Sequence, residues 1–316
     1  MKYLLSVDGG GTKTEFCVSN LTGEQRKSYI TGSTNFKSVG EEEGFQNLLN
    51  GMKWITEELQ IPLSQIAFAV LGISGCDSPN DYKKLYGQIQ KAGLQKTQFY
   101  LCNDGVLGYY AQAYEPGIVV ISGTGSIVMG ITSDGRIQRA GGWGYNISDV
   151  GSGQWIGNEA IKETLLYCDG CREFSKLYEA VGMFFQSKRK QEDCLKDFPY
   201  VVTEIQDYNK IAGSATVVLH MAEMGNREAL EILQRGAEGL AELSQSIYQK
   251  CEFHQDMPLH FVFSGGVMQS VLYQELLKAQ LQKKLPMDGI TCVVQKKKPV
   301  FGGIKLAMKM VEDKQL

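Results

Sequence analysis

Two glycine-rich turns in this sequence carry residues that could hold a phosphate chain. The first reads DGGGTK over residues 8–13, and the second reads SGTGS over residues 122–126. Successive backbone N–H groups in a tight turn form a concave site for a polyanion, and glycine permits positive φ angles and close approach of a ligand. One such turn is more often a plain hairpin. Two turns at corresponding places instead predict that one phosphate chain is held from both sides.

A third glycine pair and one acidic residue also follow buried, strand-like runs. Gly265 and Gly266 come after the run 259–263, where close backbone approach could admit an adenine–ribose face. Asp104 comes after the run 98–102 and stands at a predicted helix start. It could be a simple helix cap, or it could be a general base that faces a ligand.

Two common nucleotide-binding motifs are absent. The sequence contains no G-x-x-x-x-G-K-[ST] pattern, which excludes a P-loop. The segment Gly151–Gly157 has one residue too many for G-x-G-x-x-G and follows no clear strand. A Rossmann dinucleotide site is therefore not expected.

The elements that position these residues form two similar series. Each series begins with a buried strand, a glycine turn and a returning strand. We predict strands at residues 2–7, 12–19, 27–31, 66–73 and 98–102, and again at 118–122, 127–131, 259–263 and 290–294, with helices dominating 152–250. Because the second series repeats the plan of the first, we predict a duplicated α/β fold with mixed sheets and a cleft between its halves.

The composition is that of a soluble globular chain with a substantial core. The 316 residues are 43% apolar and 21% charged, and the formal net charge is −3. This balance gives no electrostatic case for binding nucleic acid or an anionic membrane. No apolar stretch has the length of a signal peptide or a membrane helix. We expect a cytoplasmic protein.

Cysteine usage points away from disulfides and zinc. Eight cysteines in a chain of this length are not a disulfide framework. Cys168 and Cys171 form one C-x-x-C pair, and the chain has only three histidines. Because a structural zinc ion needs four ligands, we expect no zinc site. The role of the pair stays open.

Several motifs, taken together and in order, resemble the sugar kinase–Hsp70–actin superfamily. They read DGGGTKT, NDGVLGYY, SGTGS, FSGGVMQS and FGGIKLA, and they span residues 8–307. GSTN at 32–35, LGISG at 71–75 and GGWG followed by DVGSGQWIG within 141–157 carry a narrower likeness. On these the chain resembles the BadF/BadG/BcrA/BcrD-type ATPase family and its N-acetylglucosamine kinase-like branch.

This resemblance implies two ribonuclease-H-like, actin-like ATPase domains with mixed five-stranded sheets around a nucleotide cleft. Residues 1–116 would form the first domain, joined by a C-terminal helix over 300–316. Residues 117–299 would form a larger second domain with added helices. The resemblance also implies ATP and Mg²⁺ as cofactors, and it suggests a homodimer.

The resemblance further implies roles for single residues. Asp8 would hold Mg²⁺, usually through water, and Asp104 would be the catalytic base that accepts the proton of a sugar 6-hydroxyl. The nucleotide-binding residues would be Gly9, Gly10, Gly11, Thr12, Lys13, Gly123, Thr124, Gly125, Ser126, Gly265 and Gly266. Asn35, Asp104 and Asp149 would contact the sugar, together with the backbone of Gly142 and Gly144.

The implied activity is phosphorylation of the 6-hydroxyl of an amino sugar by ATP. N-acetylglucosamine is the first candidate, with glucosamine and N-acetylmuramate as alternatives. Ile127 stands where animal-type kinases of this branch carry Asn, and Asp149-Val150 stands where they carry Asp-Glu. Both changes remove polar groups near the expected sugar pocket, and a lost hydrogen-bond partner can change discrimination strongly. Trp143 or Trp155 could form an apolar wall there, although we expect each to be a buried core residue.

Two other functions stay open. Some members of the family are ATPases that activate acyl-CoA dehydratases or reductases, with a [4Fe–4S] cluster held between two subunits. Such a cluster needs two cysteines per subunit, and Cys168 and Cys171 lie in the wrong context for it. A non-catalytic sugar or nucleotide sensor is the other function, but a sensor does not need both Asp8 and Asp104.

Overall fold

The chain folds into two units, each built around one five-stranded sheet. The computed structural model describes residues 1–113, 116–144, 147–186, 194–205, 207–253, 259–285 and 290–313. The first unit comprises residues 1–114 and 295–316, and the second comprises residues 115–294. Both sheets are mixed, with helices packed against them. The prediction of an α/β fold with two mixed five-stranded sheets is confirmed.

The strands and helices alternate much as the sequence predicts. The strands are β1 Tyr3–Gly9, β2 Lys13–Asn20, β3 Lys27–Gly32, β4 Ile66–Ile73, β5 Gln98–Cys102, β6 Gly117–Ser122, β7 Ser126–Ile131, β8 Ile137–Gly141, β9 His260–Ser264 and β10 Thr291–Val294. The helices are α1 Phe36–Val39, α2 Glu41–Lys53, α3 Pro79–Ile89, α4 Asp104–Gln112, α5 Gly153–Cys168, α6 Lys176–Phe185, α7 Phe198–Thr203, α8 Tyr208–Gly213, α9 Ala215–Glu223, α10 Arg227–Lys250, α11 Val271–Lys284 and α12 Pro299–Asp313.

In the first unit the strand order is β3-β2-β1-β4-β5. β1, β2 and β3 are antiparallel, whereas β1, β4 and β5 are parallel. β1 and β4 are buried along most of their length, as expected for strands covered on both faces. α12 returns to this unit and packs on α4 and β1. Gly302 makes this possible, because a Cβ there would collide with the carbonyl of Leu107 in α4.

In the second unit the strand order is β10-β9-β6-β7-β8. β6, β7 and β8 are antiparallel, and β6, β9 and β10 are parallel, which repeats the plan of the first sheet. The 24-residue helix α10 begins after Asn226, whose side chain accepts a hydrogen bond from the N–H of Ala229. Its apolar face joins a large core that includes Ile118 of β6 and Phe261 of β9.

Two further observations concern the described part of the chain. No described helix is both long enough and apolar enough to cross a membrane. The eight cysteines are free thiols, and the described residues contain no group of three or more His, Cys, Asp or Glu side chains arranged to hold a metal.

Candidate active site

Asp8 and Asp104 lie at the carboxyl ends of two strands of the first sheet, on either side of β4. Asp8 is paired in register with Gly72 of β4, and Gly72 is paired with Cys102 of β5, two residues before Asp104. A Cβ at position 72 would lie 3.1 Å from the Cα of Asp104. Glycine therefore lets the start of α4 approach β4, and both carboxylates reach the same edge of the sheet.

The half-buried carboxyl group of Asp8 is in an environment that disfavours its charge. Burial is the largest cause, followed by the negative charges of Asp104 and Glu15, and the pKa of Asp8 rises from 3.8 to about 7 even though Lys13 lowers it. No described residue donates a hydrogen bond to this carboxylate.

Asn103, and not Asp104, is the N-cap of α4. The Oδ1 atom of Asn103 accepts a hydrogen bond from the N–H of Gly105 at 3.0 Å, and its Nδ2 atom donates to Asp77 at 3.0 Å. The capping role that the sequence left open for Asp104 is therefore filled by its neighbour. Burial and then the charge of Asp77 raise the pKa of Asp104 to about 6, against backbone N–H groups that lower it. The carboxylate of Asp104 is thus more basic than that of an ordinary aspartate, as a general base should be.

The first glycine turn is tightly packed against the loop after β3. The hydroxyl of Thr14 donates a hydrogen bond to the hydroxyl of Thr34 at 3.0 Å, and the hydroxyl of Ser33 donates to the carbonyl of Gly10 at 2.7 Å. A Cβ at Gly9 would collide with the hydroxyl of Thr34. Position 9 must therefore be glycine for this loop to approach the turn.

The same turn leaves two neighbouring backbone donors available. The N–H of Gly10 donates to the carbonyl of Lys13 at 2.9 Å and closes the turn. Among the described residues, none accepts a hydrogen bond from the N–H of Gly11 or Thr12. Both residues are exposed, as is Lys13. Such a pair of unpaired amides is suited to a phosphate oxygen.

The second glycine turn joins β6 to β7 and has two buried hydroxyl residues, Ser122 and Ser126, and one exposed hydroxyl residue, Thr124. Ser126 is only 3% exposed, its hydroxyl donates to the carbonyl of Val150 at 2.8 Å, and its N–H donates to Asp149 at 3.3 Å. Thr124 is exposed. No described group accepts from the N–H of Thr124 or Gly125. These amides and the Thr124 hydroxyl are the donors that this turn offers to a ligand.

Of the two properties of glycine, it is close approach rather than positive φ that most of these turn positions use. None of the glycines at 9–11, 123 and 125 has φ in the left-handed region. Close approach requires glycine instead, since a Cβ at Gly125 would lie 2.5 Å from Oδ2 of Asp149. Gly265 does combine both reasons, with φ of 99° and a Cβ position that collides with the backbone of Ser122.

A cavity of about 380 Å³ in the second unit lies beside this turn and the Gly265–Gly266 pair. It is lined by Gly123, Thr124, Gly153, Asn209, Ala212, Gly213, Ala215, Thr216, Leu219, Gly266 and Val267. The residues from α8 and α9, which form one wall, were not among the predicted site residues. No motif marks them, and the only available signal was the run of small residues at 212–215.

Asp149 connects the second glycine turn to the loop after β8. Its Oδ2 atom accepts from the N–H of Ser126 at 3.3 Å, and its Oδ1 atom accepts from the N–H of Gly144 at 3.2 Å. Asp149 is 7% exposed, and this burial raises its pKa despite the hydrogen bonds. Gly142 and Gly144 have φ of 69° and 120°, so the loop needs glycine at both places.

The structure corrects the expectation for one tryptophan. Trp143 is 65% exposed and therefore is not the buried core residue that we expected. The reason is its position between Gly142 and Gly144, in a loop that leaves the sheet. Trp155 is partly buried and packs against the core of the second unit.

Asn35 begins the short helix α1 in the first unit. Its Oδ1 atom accepts from the N–H of Lys37 at 3.0 Å, and its Nδ2 atom donates to the hydroxyl of Ser74 at 3.4 Å. The side chain is buried, with 7% of the residue exposed. An amide has two N–H donors and two acceptor lone pairs, so Asn35 retains one donor and one lone pair for a ligand.

The structure thus groups the predicted site residues within each unit. Asp8, the first glycine turn, Asn35 and Asp104 belong to the first unit, and the second turn, Gly142, Gly144, Asp149 and the Gly265–Gly266 pair belong to the second. The model of the BadF/BadG/BcrA/BcrD ATPase family matches residues 5–306. The chain belongs to this family. Membership confirms the resemblance found in the sequence, and it implies that the protein uses ATP.

Two relatives that align with this chain over nearly their full length are named as sugar kinases. An N-acetyl-D-glucosamine kinase of Dictyostelium discoideum is 24% identical and covers 97% of this chain and 98% of its own. An N-acetylmuramic acid/N-acetylglucosamine kinase of Clostridium acetobutylicum is 28% identical, again with 97% of this chain and 98% of its own covered.

Solved structures share the fold of this BadF/BadG/BcrA/BcrD family member. A structure described as N-acetylglucosamine kinase from Chromobacterium violaceum matches with a TM-score of 0.70 and 23% identity, covering 98% of this chain and 99% of its own. A ROK hexokinase from Thermus thermophilus matches with a TM-score of 0.57 and 14% identity, covering 99% of this chain and 100% of its own. At these identities the likeness establishes the fold alone.

Proposed function

We propose that this protein is an ATP-dependent kinase that phosphorylates the 6-hydroxyl of an amino sugar, with N-acetylglucosamine as the first candidate. The observation that carries this proposal is the pair of carboxylates, Asp8 and Asp104, at one edge of the first sheet. One is suited to hold a cation and the other to accept a proton. The names of the two full-length relatives support the substrate class.

The nucleotide is assigned to the two glycine turns and the cavity of the second unit. The unpaired N–H groups of Thr124 and Gly125 would bind phosphate oxygens, as would those of Gly11 and Thr12. The adenosine would occupy the cavity of about 380 Å³, where Gly266 forms part of the lining. The remaining proposed contacts are Gly9, Gly10, Lys13, Gly123, Ser126 and Gly265.

The environment of Asp8 fits a magnesium ion. Mg²⁺ is usually held by one or two carboxylates together with waters and the phosphates of the nucleotide, so a site with a single protein carboxylate is sufficient. Burial and neighbouring negative charge raise the pKa of Asp8 to about 7, and a cation would remove that cost. When bound, Mg²⁺ would neutralise charge that develops on the phosphates.

Asp104 would act as the base for phosphoryl transfer. It accepts the proton of the sugar 6-hydroxyl, while the oxygen forms a bond to the γ-phosphorus and the bond between that phosphorus and the bridging oxygen of ADP breaks. The products are ADP and a sugar phosphate. The position of Asp104 at the start of α4 directs it to the carboxyl edge of the sheet, and its pKa of about 6 matches the task near neutral pH.

The sugar contacts are assigned to both units. Asn35 of the first unit keeps hydrogen-bonding capacity beside Ser74, and Asp149 holds the loop that contains Gly142 and Gly144. Ile127 contacts this loop, since a Cβ at Gly142 would lie 2.9 Å from its side chain. The wall near the sugar is therefore apolar at this point. Glucosamine and N-acetylmuramate stay alternative substrates, the latter because one relative bears that name.

The alternative function, an ATPase that activates an acyl-CoA dehydratase or reductase, has less support because both full-length relatives are named as kinases. The same incubation tests both functions. Purified protein, ATP, Mg²⁺ and N-acetylglucosamine should yield a phosphate monoester on the 6-oxygen, seen by ³¹P and ¹³C NMR. A brown, iron-containing protein that forms only inorganic phosphate would refute the kinase. A homodimer and a cytoplasmic location remain parts of the proposal.

A further inference from the structure

We propose that Arg139 is a positioning residue that holds the Gly142–Gly144 segment, here called the sugar loop, in the conformation that receives the substrate. This inference rests on the proposed function, because the sugar loop is assigned to substrate binding there. Arg139 lies in β8, shortly before the loop leaves the sheet. It is not among the residues that the family motifs single out.

Arg139 binds the backbone at the start of the loop. Its Nη2 atom donates to the carbonyl of Gly142 at 2.7 Å and to the carbonyl of Gly141 at 3.1 Å. Charged donors form stronger hydrogen bonds than neutral ones. These two bonds restrain the peptide groups at the start of the loop.

The same guanidinium group covers the side chain of Trp143. Its central carbon lies 4.2 Å from the centroid of the tryptophan ring, within the range of a cation–π contact. Trp143 is otherwise largely in contact with solvent, since 65% of the residue is exposed. Arg139 therefore contacts the backbone of Gly141 and Gly142 and the side chain of Trp143, the residue that follows them.

The backbone N–H groups of the same segment donate hydrogen bonds to side-chain oxygens. The N–H of Trp143 donates to the hydroxyl of Ser148 at 3.0 Å, and the N–H of Gly144 donates to Asp149 at 3.2 Å. The positive charge of Arg139 also lowers the pKa of Asp149, against the burial that raises it. Arg139 thus restrains the carbonyl groups at the start of the loop, and the side chains of Ser148 and Asp149 restrain its N–H groups.

The sugar loop contains two glycines with positive φ angles, so its conformation depends on these contacts. Gly142 and Gly144 adopt φ of 69° and 120°. Among the described residues, and apart from the chain neighbours of Gly144, none has a heavy atom within 4 Å of the Cβ position of this glycine. Because glycine populates many conformations, loss of the Arg139 contacts should widen the range of loop conformations and weaken sugar binding.

Arg136 provides a matched control in the same region. It forms an exposed ion pair with Asp134 at 2.7 Å within its own turn, and the arginine side chain is 66% exposed. Its replacement removes one arginine, as replacement of Arg139 does, without changing a contact of the sugar loop. The three variants to compare with the wild type are therefore Arg139→Met, Arg139→Lys and Arg136→Met.

The test measures KM for N-acetylglucosamine, kcat, the Kd for ATP by calorimetry, and Tm. For Arg139→Met we expect KM to rise by about tenfold or more, because two charge-assisted bonds are lost, whereas the Kd for ATP stays within about twofold. Arg139→Lys keeps the charge and a nitrogen donor but loses the planar guanidinium group that covers Trp143, so KM should rise by an intermediate factor. Arg136→Met should behave as the wild type.

The possible outcomes distinguish a failure of this inference from a failure of the proposed function. If the wild type phosphorylates no amino sugar, the proposed function fails. If the wild type is active but Arg139→Met and Arg139→Lys keep the wild-type KM, Arg139 does not position the loop. If Arg139→Met does not fold, the folded Arg139→Lys variant decides. A fall in Tm with unchanged KM in that variant would show a merely structural residue and overturn the inference.

Discussion

Asp8 and Asp104 interact electrostatically at the carboxyl edge of the first sheet, and the negative charge of Asp104 is one cause of the raised pKa of Asp8. Burial is the larger cause at each residue. Two partly buried carboxylates whose negative charges repel each other are costly in the free energy of folding. Functional sites often hold such groups, and in the proposed function one of them would hold a cation and the other would act as a base.

Asp104→Asn should abolish most turnover while nucleotide binding persists. The amide cannot accept the proton of the sugar hydroxyl, and a general base contributes about 10²–10⁴-fold to the rate. We expect kcat to fall by a factor in that range, measured by coupled ADP release, with the Kd for ATP within about threefold of the wild type by calorimetry. Wild-type turnover in this variant would refute the role of Asp104.

Asp8→Asn should stabilise the protein at pH 8 in the absence of Mg²⁺. The pKa of Asp8 is raised from 3.8 to about 7, so the folded state binds more protons than the unfolded state between these values. The free energy of unfolding therefore decreases as pH rises across this window. Asparagine does not ionise, so Tm of the variant should exceed that of the wild type above pH 7, and the difference should vanish near pH 4.

Magnesium supplies the control for this prediction. With Mg²⁺ and ATP at pH 8, Tm of the wild type should rise, since a ligand that binds only the folded state stabilises it. Tm of Asp8→Asn should rise less. Replacement of the exposed Asp169, which follows α5, should not change the pH dependence. An Asp8→Asn variant with a lower Tm than the wild type at pH 8 would contradict the electrostatic account.

Two hydroxyl residues of the second glycine turn, Ser126 and Thr124, should respond differently to replacement by alanine. Ser126→Ala removes the buried hydrogen bond to the carbonyl of Val150, so the free energy of unfolding should fall by about 1–2 kcal/mol. Thr124→Ala removes an exposed hydroxyl and should leave stability unchanged but weaken ATP binding severalfold. Urea unfolding and calorimetry measure the two effects. Equal ATP affinity in Thr124→Ala and the wild type would argue against a phosphate contact of that hydroxyl.

Lys298→Met should destabilise the first unit. The Nζ atom of Lys298 lies 2.8 Å from Oε1 of Glu15, whose side chain is only 8% exposed. Removal of the lysine leaves this carboxylate without its cation, at a cost between those of surface and buried ion pairs, about 1–3 kcal/mol. Lys296→Met, two residues earlier, is the control and should keep the wild-type midpoint in urea. No difference between the two variants would show that the ion pair does not contribute.

Much of the fold was predictable because buried strands leave a strong signal. The runs that precede Asp8 and Asp104 are apolar and short, and their parallel neighbours place both residues at one edge. The ion pair between Lys298 and Glu15 could not be predicted, because its partners are separated by 283 positions in the chain. Neither residue type nor spacing marks such a contact.

The parts of the site that escaped prediction lie where no strand pattern exists. Trp143 is aromatic and was expected in the core, but the positive φ angles of the flanking glycines carry it out of the sheet. The cavity wall from α8 and α9 consists of small residues such as Ala212 and Thr216. Small residues suit helix packing as well as ligand contact, so the sequence alone does not distinguish the two uses.

The central claim is tested most directly by the dependence of ADP release on sugar. The protein is incubated with ATP and Mg²⁺, and ADP is measured without sugar and with N-acetylglucosamine, glucosamine, N-acetylmuramate and glucose. The account predicts slow release without sugar, a steep increase with one amino sugar, and one sugar phosphate formed for each ADP. ADP release at the same rate with and without every sugar would contradict it.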